Sequence, residues 1–427
     1  MNGKKRLLEM SQSCYVGRRS GREVDKMDRM AWSSSGLTEL KNWTPKTAWN
    51  GNRNVLLVSE SFGAGHTRAA QALARGIKLA DEEVQVQLVE LGRELRPQVN
   101  QALVYSYLGM IQKAPGLWRR MYGKHHSRAF PRWIQWCLYQ ALYSRLADYI
   151  ADFRPGVIVA THPFASSGVA RLKKEGLPVR LCTLITDFCA HGSWVSPEVD
   201  LYLAPHNGVK EQLIALGVER NKIAVTGIPT EDHFWKKQSK EEARIKLGIY
   251  HMPTVLIMGG GFGLGRTEEL VATVADKREN LQIIVCTGHN HRLRQALSRQ
   301  PELNHPHIRI TGFTRDMADW MDAADVLLTK PGGMTLTEAI AKGKPLLLFG
   351  TIPGQEEGNE RFMVDRGLAH QAADEEEVLA WLAHWLEHPE CLEPMRQRML
   401  AWRWNIHPSK SVEAVLGQMA TRVIQSE

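Results

Sequence analysis

The 427-residue sequence predicts an α/β protein built from two doubly wound domains facing a central cleft. Three observations carry that expectation. Apolar runs of four or five residues, such as Val55-Leu56-Leu57-Val58 and Val255-Leu256-Ile257-Met258, are bounded by Gly, Pro and polar residues, as strands buried on both faces are. Most of these runs lead into a Gly-rich or polar turn and then a helix-length stretch. The alternation runs through Val225 and restarts at Thr254, and the chain is too long for one ordinary core.

Composition narrows the class. Apolar content of 43% and charged content of 23% describe a globular chain, not a disordered or fibrous one. The six cysteines (Cys14, Cys137, Cys182, Cys189, Cys286, Cys391) are scattered without a CxxC pair. They point to neither a zinc site nor a disulfide framework and fit a reducing cytoplasm. No run approaches the roughly 18 apolar residues of a membrane span, and the basic N-terminus lacks the apolar stretch of a secretory signal.

In chain order, residues 1–52 carry ten basic and five acidic residues without clean periodicity. They read as a mobile basic arm, either a helper for anionic lipid or an extension without a role. Residues 53–235 form the expected first domain. Strand Val55–Ser59 opens it and leads into Glu60-Ser61-Phe62-Gly63-Ala64-Gly65-His66 and a helix from Thr67 to Leu79. His66 at a helix start would be held neutral and able to accept a proton, although a structural, hydrogen-bonded histidine fits the same pattern. Strand 84–91 follows. Strands 157–160 and 179–185 lead into Thr161-His162-Pro163 and Thr186-Asp187-Phe188-Cys189-Ala190-His191, loops at carboxyl ends of strands where ligands bind in open α/β sheets. Strands at 200–204 and 223–227 precede a Gly227-Ile228-Pro229 turn and a polar linker to Lys240.

Between Arg96 and Ala147 there are eight Lys/Arg and no Asp or Glu, together with Trp118, Trp133, Trp136 and five tyrosines. Basic, aromatic, apolar helices of this kind suit a membrane interface, with Trp118, Arg119, Arg120, Trp133 and Trp136 as anchors. A buried aromatic core and a nucleic-acid surface are the two other readings, the latter the weaker because the tryptophans lie on apolar helical stretches.

Residues 236–427 form the expected second domain, with strands at 254–258, 282–287, 308–313, 326–329 and 346–349 and helices from 374 to 425. Its centre is Lys330-Pro331-Gly332-Gly333-Met334-Thr335, a Gly-rich turn ending at a helix start that favours an anion such as phosphate. Glu338 lies three residues beyond Thr335. The alternative is an ordinary βα turn with Thr335 and Glu338 as a capping box. Gly259–Gly265 resembles a dinucleotide fingerprint but lacks a clear acidic ribose partner. GKT/GKS, GxSxG and DxD are absent, which argues against a P-loop, a hydrolase elbow and a metal-clamped sugar nucleotide.

The stretches SFGAGHTRAAQAL, ITDFCAHGSWVSPEVD, VTGIP, MGGGFGLG, ITGF, TKPGGMTLTEA and PGQEEGN follow one another in the order seen in diacylglycerol glycosyltransferases. The chain resembles the bacterial processive diacylglycerol β-glucosyltransferases and plastid-type monogalactosyldiacylglycerol synthases over about Val55 to Asn405. That resemblance implies the GT-B fold, with an acceptor- and membrane-binding first domain and a UDP-sugar-binding second one. It implies His66 as the base for the acceptor hydroxyl, with His191 and Trp194 on the acceptor side. On the donor side it implies Gly261 and Phe262 facing the cleft and Thr311, Gly312 and Phe313 at the base. It further implies Gly333, Met334 and Thr335 at the diphosphate, Glu338 at the ribose, and Gln355, Glu356 and Asn359 at the hexose. The Phe62–His66 turn departs from the all-glycine GGGH of the plastid type and is closer to the bacterial form. The arm has no counterpart.

The resulting expectation is an inverting, metal-independent transferase that needs no cofactor and moves a hexose, glucose first, from a UDP-sugar to diacylglycerol. It would act peripherally on anionic lipid at the inner face of the cell membrane, without nucleic acid. Its rivals are transfer to another lipid such as an undecaprenyl carrier, and a catalytically silent UDP-sugar sensor at the membrane.

Overall fold

A computed structural model describes residues 52–420 except 115, 118, 121–138, 237, 260–266, 278, 355 and 404. The arm up to residue 51, Trp118, Trp133, Trp136, Gly261, Phe262 and Gln355 therefore lie outside the described residues. The expected alternation is present in two parallel six-stranded sheets. The first joins β1 (Asn54–Ser59), β2 (Gln85–Glu90), β3 (Val157–Ala160), β4 (Arg180–Leu184), β5 (Leu201–Ala204) and β6 (Ile223–Val225) in the order β2-β1-β3-β4-β5-β6. The second joins β7 (Thr254–Met258), β8 (Gln282–Cys286), β9 (Ile308–Thr311), β10 (Val326–Thr329), β11 (Leu346–Leu348) and β12 (His370–Gln371) in the order β12-β11-β10-β7-β8-β9.

Strand order locates the site. Connections leave in opposite directions on either side of β1–β3 and of β7–β10, and a crevice opens at the carboxyl ends of such strands. Val58 pairs with Ala160 and Met258 with Thr329 at these two switch points. Both central pairs are apolar and fully enclosed, Leu56, Leu57, Leu256 and Leu327 being 0% exposed, so the loops beyond them stand on rigid footings.

Seven helices shape the crevice or brace the chain around it: α1 (Ala64–Ala80), α2 (Pro97–Lys113), α3 (Pro163–Lys174), α4 (Gly333–Lys342), α5 (Glu357–Asp365), α6 (Glu393–Arg403) and α7 (Ser409–Ala420). α1 begins three residues before the expected Thr67, so His66 lies within its first turn. α4 starts at Gly333 with Gly332 as N-cap and no side-chain cap, so the Thr335–Glu338 capping box does not form.

One element departs from the expected division at residue 236. α7 crosses back and packs on α1, β3 and β4 of the first half, burying Val412 and Val415. Gly76 permits that approach, since a Cβ there would lie 2.8 Å from Val412 Cγ2. The returning chain also touches the outgoing one. Gly227, with φ of 76°, faces Ile406 so closely that a Cβ would sit 2.6 Å from its Cα. Nearby, Phe362 of α5 stacks on His206 at 4.2 Å and lies 4.9 Å from Phe188, while Trp402 of α6 meets Phe362 edge-on at 5.4 Å.

Removing residues 409–427 uncovers the apolar face of α1. It is expected to lower the thermal unfolding midpoint by about 5–10 °C, from the loss of two buried valines; an unchanged midpoint would show that α7 does not support the first half.

Candidate active site

The loops after β1, β4, β8, β9 and β10 converge on a cleft of about 1400 Å³, lined by Gly63, Gly65, His66, Arg68 and Asp187 from the first half and Lys330, Gly333, Thr335, Glu338 and Glu356 from the second. That is ample for a sugar nucleotide and part of an acceptor.

His66 is fixed by two threonines that each follow a buried strand. Its Nδ1 lies 2.7 Å from the Thr161 carbonyl oxygen and 2.8 Å from Thr186 Oγ1. A carbonyl only accepts, so Nδ1 carries the hydrogen and Nε2 keeps the lone pair. Burial holds the imidazole down to about 4, well below its ordinary value, so at neutral pH it is an uncharged base. Its ring sits edge-on to His162 at 4.7 Å and 6.3 Å from Trp194.

The turn that carries His66 is anchored from below. Glu60 is fully buried and accepts hydrogen bonds from the Tyr143 hydroxyl and, at 3.2 Å, from Gly92 N–H; burial pushes its carboxyl up to about 7. Asn100 of α2 donates to Ser61 Oγ at 2.7 Å, and Phe62 packs edge-on against Tyr107 of the same helix. The acid-free α2 and the aromatic π-type turn Tyr139–Tyr143 are thus bolted to the His66 loop.

His162 and His191 prove to be local caps. Nδ1 of His162 accepts from Phe164 N–H at 3.2 Å, and Nδ1 of His191 accepts from Ser193 N–H at 3.1 Å. His191 and Trp194 are each 2% exposed and stand outside the cleft lining, Trp194 beside His66.

Across the cleft, the start of α4 meets the β4 loop with no space to spare. A Cβ on Gly333 would lie 2.0 Å from the Thr186 carbonyl oxygen, and one on Gly65 would lie 3.4 Å from Met334 Cγ. Asn359, fully buried at the start of α5, closes the same seam. It accepts from Phe188 N–H at 2.7 Å and donates to Asp187 and to the Pro331 carbonyl, both at 3.1 Å. Its amide is committed to clasping the two halves. Burial raises the Asp187 carboxyl to about 6, opposed by the Asn359 hydrogen bond.

Two cation–carboxylate pairs flank Gly332-Gly333. Lys330 pairs with Glu356, whose second oxygen accepts from Ile352 N–H at 3.1 Å. Arg68 of α1 reaches across to Glu338 of α4, which is 1% exposed. Burial raises the Glu338 carboxyl to about 7 against the opposing pull of Arg68. Phe313 is 57% exposed on the cleft wall and stacks on His289 at 4.4 Å, whereas Thr311 and Gly312 lie behind it, their carbonyls bonded to Thr287 and Cys286. Arg119 pairs with Glu357 of α5 at 3.0 Å, and Arg120 is exposed. Sequence reasoning assigned no role to Thr161, Thr186, Arg68, Asp187 or Lys330; the signal for the threonines was their place just beyond the carboxyl ends of buried strands.

A neutral base on one Gly-rich helix start, facing a second helix start across a cleft between two doubly wound halves, defines a GT-B protein. Residues 66–230 match the family described as monogalactosyldiacylglycerol (MGDG) synthase, and residues 254–387 the glycosyltransferase family 28 C-terminal domain. A processive diacylglycerol beta-glucosyltransferase of Bacillus pumilus is 28% identical over 372 residues, 86% of this chain and 94% of the relative. A probable chloroplastic monogalactosyldiacylglycerol synthase 2 of Oryza sativa is 32% identical over 351 residues, 78% of this chain and 73% of the relative. In fold, the chain is similar to Anabaena HepE, solved in complex with UDP and glucose, with a TM-score of 0.54 at 14% identity over 86% of this chain and 99% of that one. The chain belongs to the monogalactosyldiacylglycerol synthase and processive diacylglycerol glucosyltransferase family.

Two outcomes are expected from this geometry. Gly333→Ala drives a methyl group into the Thr186 carbonyl, so it should destabilise the closed arrangement by roughly 1–3 kcal/mol; full stability in chemical unfolding would disprove the tight seam. An NMR titration of His66 should find it neutral throughout pH 5–8, because its folded pKa lies below the value of the unfolded chain and protonation is deferred until the pH falls toward about 4. A midpoint near the ordinary histidine value would contradict its burial.

Proposed function

We propose that the protein is an inverting, metal-independent glycosyltransferase that moves a hexose, glucose in first place, from a UDP-sugar to diacylglycerol. One observation carries the reading: His66 stands in the cleft with Nδ1 spent on Thr161 and a neutral Nε2 available, opposite the start of α4. The names of the relatives support the diacylglycerol acceptor, and the UDP complex of HepE supports the donor class.

In the proposed reaction the free glycerol hydroxyl oxygen attacks the anomeric carbon from the face opposite the diphosphate. Nε2 of His66 takes the hydroxyl proton as the new C–O bond forms. The bond from the anomeric carbon to the β-phosphate oxygen breaks, and UDP leaves with the electron pair. Backbone N–H groups at Gly333, Met334 and Thr335 and the positive end of α4 meet the developing charge without a metal. Glu338 accepts from the ribose hydroxyls, Glu356 faces the hexose, and Phe313 with His289 walls the base.

The acceptor enters from the α2 side. Tyr105 and Leu117 are 68% and 54% exposed in a region without acidic residues, and Arg120 of the same region is exposed as well. This surface supports peripheral docking on anionic lipid at the inner face of the membrane. Among the described residues no helix is long and apolar enough to cross a bilayer. Part of the aromatic set serves the core instead, since Tyr143 is 2% exposed and bound to Glu60.

The test is direct. Purified protein is incubated with diacylglycerol vesicles and each common UDP-sugar, and products are identified by mass. A hexosyl-diacylglycerol is expected from the native chain, and His66→Ala should reduce its formation by about 10²–10⁴-fold while UDP affinity is nearly unchanged. No glycolipid with any UDP-sugar would overturn the function, and parallel loss of UDP binding in His66→Ala would overturn the base assignment.

A further inference from the structure

We propose that Arg68 is a donor-binding residue: it stays on Glu338 through one nitrogen and turns its remaining donors to the diphosphate of the bound nucleotide. The inference rests on the UDP-sugar reading and adds to it a group from the opposite half of the molecule.

The observation is a charge arrangement across the cleft. Arg68 belongs to α1, two residues beyond His66, while its partner belongs to the first turns of α4. The first turns of the two helices touch at Gly65 and Met334. Arg68 is three residues beyond Gly65, on the same face of α1. Glu338 is five residues beyond Gly333, about 7.5 Å along the axis of α4. A guanidinium held at Glu338 is therefore within side-chain reach of an anion seated on the Gly333 N–H group.

Chemistry favours this role over a purely internal bridge. Among the described residues, the hydrogen bond that Arg68 makes is from Nη2 to Glu338 Oε1. A guanidinium has five N–H donors in a planar fork suited to phosphate. Both side chains line the cleft, Arg68 39% exposed and Glu338 2% exposed beneath it. The helix end alone supplies roughly half a charge, and a leaving diphosphate carries more. Lys330 is already bound to Glu356, itself tied to Ile352 N–H. With Arg68 on Glu338, one side chain joins the ribose-facing carboxylate to the phosphate subsite.

Calorimetric titration of the full chain and its Arg68→Ala and Arg68→Lys variants with UDP and with uridine tests this. Arg68→Ala is expected to weaken UDP roughly 10- to 100-fold while uridine changes by less than about threefold. Arg68→Lys keeps the charge without the fork and should recover part of the UDP loss. Equal loss for UDP and uridine would make Arg68 only a support for Glu338 and overturn the proposal, as would UDP binding that is unchanged or tighter. Native protein that binds neither compound would overturn the UDP-sugar reading itself, a result distinct from any difference among the variants. If Arg68→Ala fails to fold, the ratio of UDP to uridine affinity in Arg68→Lys decides: a fall in that ratio supports the proposal, and an unchanged ratio overturns it.

Discussion

The contact between the Thr186 carbonyl and the α-carbon of Gly333 is the constraint on which the site depends. One residue serves both halves, its hydroxyl against His66 Nδ1 and its carbonyl against the start of α4. The next residue, Asp187, continues the seam to Asn359. The distance between His66 and the Gly332-Gly333 turn is thus set by backbone, which is stiffer than any pair of side chains. Glycine at 333 is required by space, and its backbone conformation is one any residue could adopt.

Around that seam the charges are arranged at the cost of desolvation. Glu60, Asp187 and Glu338 are all held above the usual carboxylate range by burial. Each has its own partner: Tyr143 and Gly92 for the first, Asn359 for the second, Arg68 for the third. An ion pair enclosed on one side gives little net stability, but losing its cation strands the carboxylate among apolar neighbours. Such pairs therefore fix geometry more than they add stability, and Arg68–Glu338 fixes the two helix starts against each other.

The parts legible in the sequence were those whose cause is local. Buried strands, glycine turns and the location of His66, Thr335 and Glu338 after them follow from patterns spanning a dozen residues. The helix start at Ala64 was not legible, because glycines at 63 and 65 argue against helix and the β3 and β4 loops override that preference. The Thr335–Glu338 pattern matched a capping box, yet Glu338 is drawn to Arg68, 270 residues away in sequence. Thr161 and Thr186 are ordinary residues until the sheet brings them 2.7 and 2.8 Å from one imidazole nitrogen. Asn359 lies in a polar loop motif that suggested sugar contact, and only the packed seam reveals that its amide is already occupied. The helical reading of residues 374–425 took in α7 but not the sheet it covers.

The return of α7 to the first half has a mechanical consequence. The chain crosses between the halves twice, once after β6 and once after α6, and the two crossings meet where Gly227 abuts Ile406. Two tethers fastened at a single place behave as a door hung on one edge. They resist sliding and twisting and leave rotation about their common line as the soft movement. A swing of the halves about that line would open the widest gap at the rim farthest from Ile406 and would preserve the register of His66 with α4.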